Sequence, residues 1–201
     1  MTAPTIIGVF AIVFFQVVDT YFIGLLGTTE LAAISFTFPV TFTITSFTIG
    51  LGVGTSVLLA QVIGQGDSST AKRITTDSLL LSLILVILMA VFGIASLEPL
   101  FRLLGATDST LPFIRQYMYI WYPSVALLVI PMVGNSAIRA TGDTKWPSIL
   151  MLGSGLINAV VDPLLIFGIG PFPELGVQGA AISSAIAWFA GLLGAIYLLR
   201  V

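Results

Sequence analysis

The sequence contains no cysteine and no histidine in 201 residues. Disulfide bonds, thiolate nucleophiles, the usual zinc sites and any Ser-His or Cys-His catalytic arrangement are therefore excluded. Charge is also scarce, since charged residues make up 8% of the chain and the formal net charge is -2. Because no run of basic residues is present that could hold a phosphate backbone, nucleic acid is excluded as a partner.

Apolar residues dominate what remains. They make up 57% of the chain, and the mean hydropathy is +1.11, far above the average of soluble domains. A helix needs about 20 apolar residues to cross a bilayer core that is about 30 Å thick. The sequence therefore predicts an all-α membrane protein, a bundle of six transmembrane helices embedded in the lipid bilayer.

Five short interruptions divide the apolar sequence into six predicted spans. Each interruption is rich in glycine, aspartate, serine, threonine or proline, as turns are. None is long enough to hold a folded domain, so residues 1–201 are predicted to form a single helical lobe of antiparallel neighbours. The spans lie near residues 4–26, 31–60, 73–97, 112–136, 147–169 and 177–199.

Basic residues are distributed unevenly between the two ends of these spans. Arg102 and Arg115 fall at one end, here called the outer end. The other five fall at the opposite, inner end: Lys72, Arg73, Arg139, Lys145 and Arg200. Since positively charged loops stay in the cytoplasm, both termini are predicted to be cytoplasmic, in the plasma membrane or, in a bacterium, the inner membrane.

Aromatic residues cluster near the outer end of the fourth predicted span. The amphipathic rings of tyrosine and tryptophan favour the headgroup level of a bilayer. The sequence therefore predicts an interfacial belt formed by Tyr117, Tyr119, Trp121 and Tyr122.

Two acids lie within apolar segments, Asp19 in the first span and Asp162 in the fifth. Each is seven residues before the outer end of its predicted span, which at about 1.5 Å per residue places both about 10 Å below that end. Gln16 lies three positions before the first acid, and Asn158 lies four positions before the second. These spacings put an amide on the same helical face as each acid.

An ionised carboxylate is costly in hydrocarbon, so both acids should face the bundle interior or water. The two acids, Asp19 and Asp162, could then share one cavity and take up H⁺ or Na⁺, which predicts an ion-coupling site without an organic cofactor. The alternative is structural: each acid caps a broken helix or bonds a neighbouring hydroxyl for packing.

Hydroxyl groups line one face of the second span at helical spacing, at Thr37, Thr41, Thr45 and Thr48. One interpretation is a polar cavity or pathway through the lobe. The other is that each hydroxyl bonds a carbonyl of its own helix.

Small residues recur at every fourth position of the sixth span, at Gly179, Ser183, Ala187, Gly191 and Ala195. Such a stripe lets another helix backbone approach closely. It predicts helix packing rather than chemistry.

Three parts of the sequence together resemble the multidrug and toxic compound extrusion (MATE) family, and the resemblance runs along essentially the whole chain. The first part is Val18–Gly27 with Glu30–Ala33, and the second is Gln61–Asp67 with Ala71–Arg73. The third comprises Arg139–Thr144, Asn158, Asp162–Gly168 and Glu174–Ala181.

The resemblance implies a secondary active antiporter that exports organic, often cationic, drugs or metabolites in exchange for H⁺ or Na⁺. Asp19, Asn158 and Asp162 match the cation site of the family's amino-terminal lobe, and Ser183 or Ser184 would add a hydroxyl ligand. Family members have about twelve helices in two lobes, and the substrate passes between them. A second six-helix lobe, from the same gene or from a second copy, is therefore expected as a partner.

Two other functions stay open. A flippase for a lipid-linked substrate would need basic residues along its cavity, and none lies well inside a span. A non-transporting membrane scaffold or fragment would fold or associate without binding ions. An enzyme is not expected, because two acids without histidine, cysteine or a metal motif support little chemistry in a lipid setting.

Overall fold

The computed structural model describes the backbone of residues 2–200 and the side chains of residues 14–198. Within these residues the chain forms seven α-helices and no strand. They are α1 (Thr2–Leu26), α2 (Thr28–Gly64), α3 (Ser68–Ala95), α4 (Leu97–Leu103), α5 (Leu111–Ala140), α6 (Lys145–Ile166) and α7 (Val177–Arg200).

Six of these helices occupy the predicted apolar segments. The helices α2, α3, α5, α6 and α7 are long and apolar enough to cross a membrane, and α1 is apolar over Phe14–Leu26, where its side chains are described. The helix α6 ends three residues before the predicted limit of its span. Gly168, just beyond it, has a φ of 66°, a left-handed conformation that ends the helix and favours glycine.

The short helix α4 (Leu97–Leu103) was not predicted, because seven residues of mixed polarity give no periodic signal. It lies between α3 and α5, and ion pairs hold it at both ends. Glu98 pairs with Arg115 of α5, and Arg102 pairs with Asp108 at 2.8 Å. Both basic residues of the outer end are thus paired with acids.

The helix α5 occupies the centre of the bundle and packs against α2, α3 and α7. Along its length Val125, Val129 and Val133 are almost completely buried. The helix α1 instead lies at the edge, mainly against α6. Of its described side chains only Ile23 is fully buried, so α1 is the least embedded long helix in this part of the chain.

The predicted aromatic belt is wrong for three of its four residues. Tyr117, Trp121 and Tyr122 are buried inside the bundle, and only Tyr119, with 52% of its surface exposed, could face lipid. The physical reason is the central position of α5, which turns most of its rings toward other helices. Aromatic residues near a span end indicate an interface only when the helix is peripheral.

Close contact between α6 and α7 follows from the predicted stripe of small residues. A Cβ atom added to Gly179 would lie 2.6 Å from the backbone carbonyl of Leu165, and one added to Gly191 would lie 2.7 Å from the Ser154 hydroxyl. Gly179 therefore lets the two helices touch almost backbone to backbone, and Gly191 makes room for the Ser154 side chain.

Replacing Gly179 by alanine is expected to destabilise the lobe by about 1–3 kcal/mol, because the added methyl group would meet backbone that cannot rotate away. Gly153→Ala is the matched control, since its Cβ would have nothing within 4 Å. Alanine is favoured over glycine inside a helix by about 1 kcal/mol. Thermal unfolding in detergent should give a lower Tm for Gly179→Ala only; equal Tm values for the two variants would contradict the packing.

Asp67 caps the amino terminus of α3. Its carboxylate accepts hydrogen bonds from the hydroxyl and backbone N–H of Thr70 and from the hydroxyl of Ser69. These donors, the Thr70 hydroxyl first, lower the pKa of Asp67 below its usual range. The Asp67 cap therefore stabilises α3 when its carboxylate is charged.

The pKa of Asp67 is lower in the folded than in the unfolded protein. Its contribution to the stability of the fold is therefore fully present above the ordinary carboxyl pKa of about 4, and it is lost as the pH falls through the lowered pKa. Asp67→Ala should therefore lower the Tm at neutral pH, and the difference from wild type should shrink in acid. Asp77→Ala is the control. The exposed Asp77 carboxylate only faces Arg73 at 3.7 Å, and exposed ion pairs of this kind contribute little to stability. A Tm difference independent of pH would refute the capping role.

Candidate functional site

A cluster of polar side chains lies inside the outer half of the lobe, where α1, α5, α6 and α7 meet. Its members are Asp19 of α1, Tyr117 of α5, Asn158 and Asp162 of α6, and Ser183 of α7. Each lies four to eight residues from the outer end of its helix. At about 1.5 Å per residue, the whole cluster is about 6–12 Å below that end.

The centre of this cluster is a pair of carboxyl groups. The side chains of Asp19 and Asp162 are within hydrogen-bonding reach of each other. Oδ1 of Asp19 and Oδ2 of Asp162 are buried, and neither accepts a hydrogen bond from a described residue. Two touching carboxylates repel each other unless a positive charge is shared between them. The geometry therefore suits one proton or one monovalent cation.

No basic side chain compensates this pair in the described part of the chain. The three ion pairs found there join Arg73, Arg102 and Arg115 to other acids. Acids buried for structural reasons are usually matched with a cation from the protein. The charge of this pair is not balanced by any described basic residue.

Asp162 is oriented by side chains of α6 and α7. The Ser183 hydroxyl donates to Oδ1 of Asp162. The Asn158 amide nitrogen donates to the Ser183 hydroxyl oxygen at 3.0 Å and reaches the same Oδ1 at 3.4 Å. Ser184 accepts from this amide at the longer distance of 3.5 Å. These contacts fix one oxygen of Asp162 and leave the other toward Asp19.

Tyr117 is the member of the cluster that sequence reasoning missed. It is 7% exposed and close enough to Asp19 and Asp162 for both charges to act on its phenol group. In the structure Tyr117, Trp121 and Val125, spaced four residues apart, form a buried stripe, but the apolar sequence of α5 carries no signal that distinguishes this face. That stripe marks the inward face of α5.

The remaining candidates for a polar cavity make no hydrogen bond to either acid among the described residues. Gln16 is exposed, and only its backbone carbonyl accepts a bond, from Thr20 at 2.8 Å. Thr37 donates to the backbone of its own helix at 2.7 Å, and Thr41 does so at 3.2 Å. These hydroxyl contacts fit the structural interpretation of the threonine face.

Apolar contacts close the cluster on the outer side. The rings of Phe22 and Phe167 meet edge to face with centroids 6.2 Å apart. Ile23 and Ile166 are fully buried, and Val177 is 2% exposed. Since these side chains exclude water, electrostatic interactions of the carboxyl pair are stronger than they would be in solvent.

The MatE family model matches residues 4–164, which include Asp19, Asn158 and Asp162. The chain belongs to the MATE family. It is 49% identical over 199 residues to the FAD transporter of Shewanella oneidensis, an alignment that covers 99% of this chain and 44% of that protein. It is 31% identical over 175 residues to the probable multidrug resistance protein YoeA of Bacillus subtilis, covering 87% and 38% respectively.

Solved MATE structures share the fold. The crystal structure of the Vibrio cholerae MATE transporter VcmN in its bent form superposes with a TM-score of 0.93 at 33% identity, over 100% of this chain and 45% of that one. An outward-facing multidrug resistance MATE transporter gives 0.90 at 31% identity, over 98% and 43%. The chain therefore spans less than half the length of these relatives.

These findings confirm the predicted resemblance and the fold class, an all-α bundle of six transmembrane helices that forms one lobe of a twelve-helix MATE-type transporter. MATE proteins are transporters rather than enzymes, as the absence of catalytic motifs predicted. The chain is an integral membrane protein. The cytoplasmic termini and the bacterial inner membrane stay predictions.

Proposed function

We propose that this chain is the ion-coupling lobe of a MATE antiporter, in which Asp19 and Asp162 together take up one H⁺ or Na⁺ and release it when α1 moves. The observation that carries the proposal is the contact between the fully buried Asp162 and the half-buried Asp19, whose Oδ1 is buried, with no basic partner among the described residues. Ionisable groups inside membrane proteins mark ion pathways more often than they serve packing.

Binding an ion has a direct consequence for helix packing. With the ion bound, the Asp19–Asp162 contact holds α1 against α6; without it, two negative charges repel across the same contact. A ligand that binds one arrangement better shifts the population toward it. Because α1 buries little of its described surface, it is the helix that this change would displace most easily.

The available ligands suit a monovalent ion. Asp19, Asp162 and Ser183 offer oxygen atoms, which hard cations prefer, while Asn158 presents its amide nitrogen to Asp162 and Ser183. Among the described residues no group of three or more acids is present that would hold a divalent metal. A proton shared between the two carboxyl groups would satisfy the same atoms, so H⁺ and Na⁺ are both tested below.

The proposed cargo is a small organic molecule that passes between this lobe and a second six-helix lobe. The relatives are named as FAD and multidrug transporters. Since the FAD transporter is the more similar of the two, FAD is the first substrate to test, followed by an organic cation. The described basic residues all lie near helix ends, which does not support a flippase for an anionic lipid-linked substrate.

Intrinsic fluorescence provides the test, because Trp121 and Trp188 lie near the carboxyl pair. The purified protein in nanodiscs is titrated with NaCl at constant ionic strength and, separately, with acid. A saturable change is expected with one of the two ions for wild type and for Asp77→Asn, but not for Asp162→Asn. The absence of any saturable change in wild type would overturn the proposal and favour a non-transporting lobe.

Ser183→Ala should weaken the binding of that ion about tenfold or more, because a hydrogen bond to a charged group contributes roughly 1.5–3 kcal/mol. The matched control is Ser184→Ala, whose hydroxyl only meets the Asn158 amide at 3.5 Å and should leave affinity nearly unchanged. Ser183→Thr retains the donor and should restore binding. Equal affinities for the two alanine variants would show that Ser183 does not orient Asp162.

A further inference from the structure

An aromatic layer, defined as Phe15, Trp121 and Trp188, lies directly inward of the carboxyl pair. The three residues are eleven, ten and eleven residues from the outer ends of α1, α5 and α7. At about 1.5 Å per residue, all three are about 15–16 Å below those ends. That depth is the middle of a bilayer core about 30 Å thick.

Two rings of the layer, Phe15 and Trp121, lie one helical turn inward of a member of the polar cluster. Phe15 is four residues from Asp19 on α1, and Trp121 is four residues from Tyr117 on α5. Trp188 is five residues from Ser183 on α7. Because residues four apart share a helical face, the rings of Phe15 and Trp121 occupy the same faces as Asp19 and Tyr117, one turn further inward.

Each ring of the layer has a packing partner in the bundle. Trp121 is 3% exposed, and its ring meets that of Trp188 edge to face with centroids 6.0 Å apart. On α6 the residue at the same depth is Gly155, and an added Cβ would overlap the ring of Phe15. The glycine thus forms a notch that receives the Phe15 ring.

Polar groups return on the inner side of the layer. Along α5, Asn135 is 4% exposed and Ser136 is 8% exposed, and Oδ1 of Asn135 has no donor among the described residues. The aromatic layer, followed inward by the buried Val125, Val129 and Val133 of α5, therefore lies between two polar regions. Hydrocarbon rings offer neither oxygen ligands nor protons, so an ion crossing the layer would lose its coordination.

We propose that the aromatic layer is the inner seal of the ion site, and that Phe15 is the part of it that opens. This rests on the proposed function of the carboxyl pair. Phe15 and Asp19 are carried by the same peripheral helix, so a movement of α1 that separates the two acids also withdraws the ring from the Gly155 notch. Ion release and opening of the seal are then one event.

The test measures ion leak through the complete transporter in liposomes, under an imposed H⁺ or Na⁺ gradient and without organic substrate. Phe15→Ala and Trp188→Ala are each expected to raise the leak about tenfold over wild type, since each removes one ring from the barrier. Phe189→Ala is the matched control, because this ring is adjacent to Trp188 in the sequence and is 49% exposed.

Adding Asp19→Asn to Phe15→Ala should return the leak to the wild-type level, because the leaking ion must pass through the carboxyl pair. A leak that persists in this double variant would overturn the proposal, and so would unchanged leak in Phe15→Ala and Trp188→Ala. If wild type still shows ion-dependent fluorescence in those cases, the proposal of an aromatic seal fails and the proposal of an ion site at the carboxyl pair is retained. If that fluorescence response is absent, the site itself has failed.

Discussion

Asp19→Asn in the complete transporter is expected to reduce ion-driven transport of the organic substrate to the rate of empty liposomes. Asparagine has nearly the shape of aspartate, so the packing of α1 on α6 is preserved. It carries no charge and releases no proton, so neither H⁺ nor Na⁺ can be exchanged at the pair. Transport of FAD and of an organic cation into liposomes, driven by an imposed ion gradient, measures the loss.

Asp77→Asn serves as the control for this result. It makes the same chemical change on α3, where the carboxylate is 67% exposed and faces Arg73 at 3.7 Å. Its transport rate should equal that of wild type. Wild-type transport by a correctly folded Asp19→Asn protein would remove Asp19 from the mechanism.

Asp162→Asn is expected to raise the thermal stability of the lobe when neither Na⁺ nor excess protons are supplied. The substitution removes one of two repelling charges from the interior, where burying each ion costs several kcal/mol. The asparagine carbonyl can still accept the Ser183 hydrogen bond. Saturating wild type with its coupling ion should bring the two Tm values together.

This comparison separates the functional and structural interpretations of the buried acids. If Asp162 only capped a helix or bonded a hydroxyl, its removal would lower the Tm under every condition. A higher Tm for Asp162→Asn in ion-free buffer, which disappears when the ion is added, is expected only for an ion-binding pair. A lower Tm in both conditions would refute the proposal at this residue.

The long helices and the two acids could be predicted because their signals are local. A run of about 20 apolar residues leaves little choice other than a transmembrane helix, and a carboxylate within it must face the interior. Asp19 and Asp162 also lie at matching depths, so the sequence indicated that they could meet. Depth along a helix follows from counting residues.

Rotation about the helix axis could not be predicted in the same way. A helix that is apolar on all sides has no pattern to show which face meets the bundle. Gln16 was placed beside Asp19 on the basis of a three-residue spacing, yet that spacing leaves about 60° of rotation between the side chains. This is enough to put Gln16 on the exposed surface while Asp19 faces α6. The burial of Tyr117 and Trp121 was hidden for the same reason.

The near-backbone contact at Gly179 makes α6 and α7 a fixed frame. Three of the ion-facing side chains, Asn158, Asp162 and Ser183, belong to this frame, and Asp19 alone is carried by α1. Ion affinity is then set by the distance between α1 and the rigid pair of helices α6 and α7. A small molecule wedged along the flank of α1 would trap the ion or keep it out without touching a carboxylate, which makes that flank the natural target for an inhibitor.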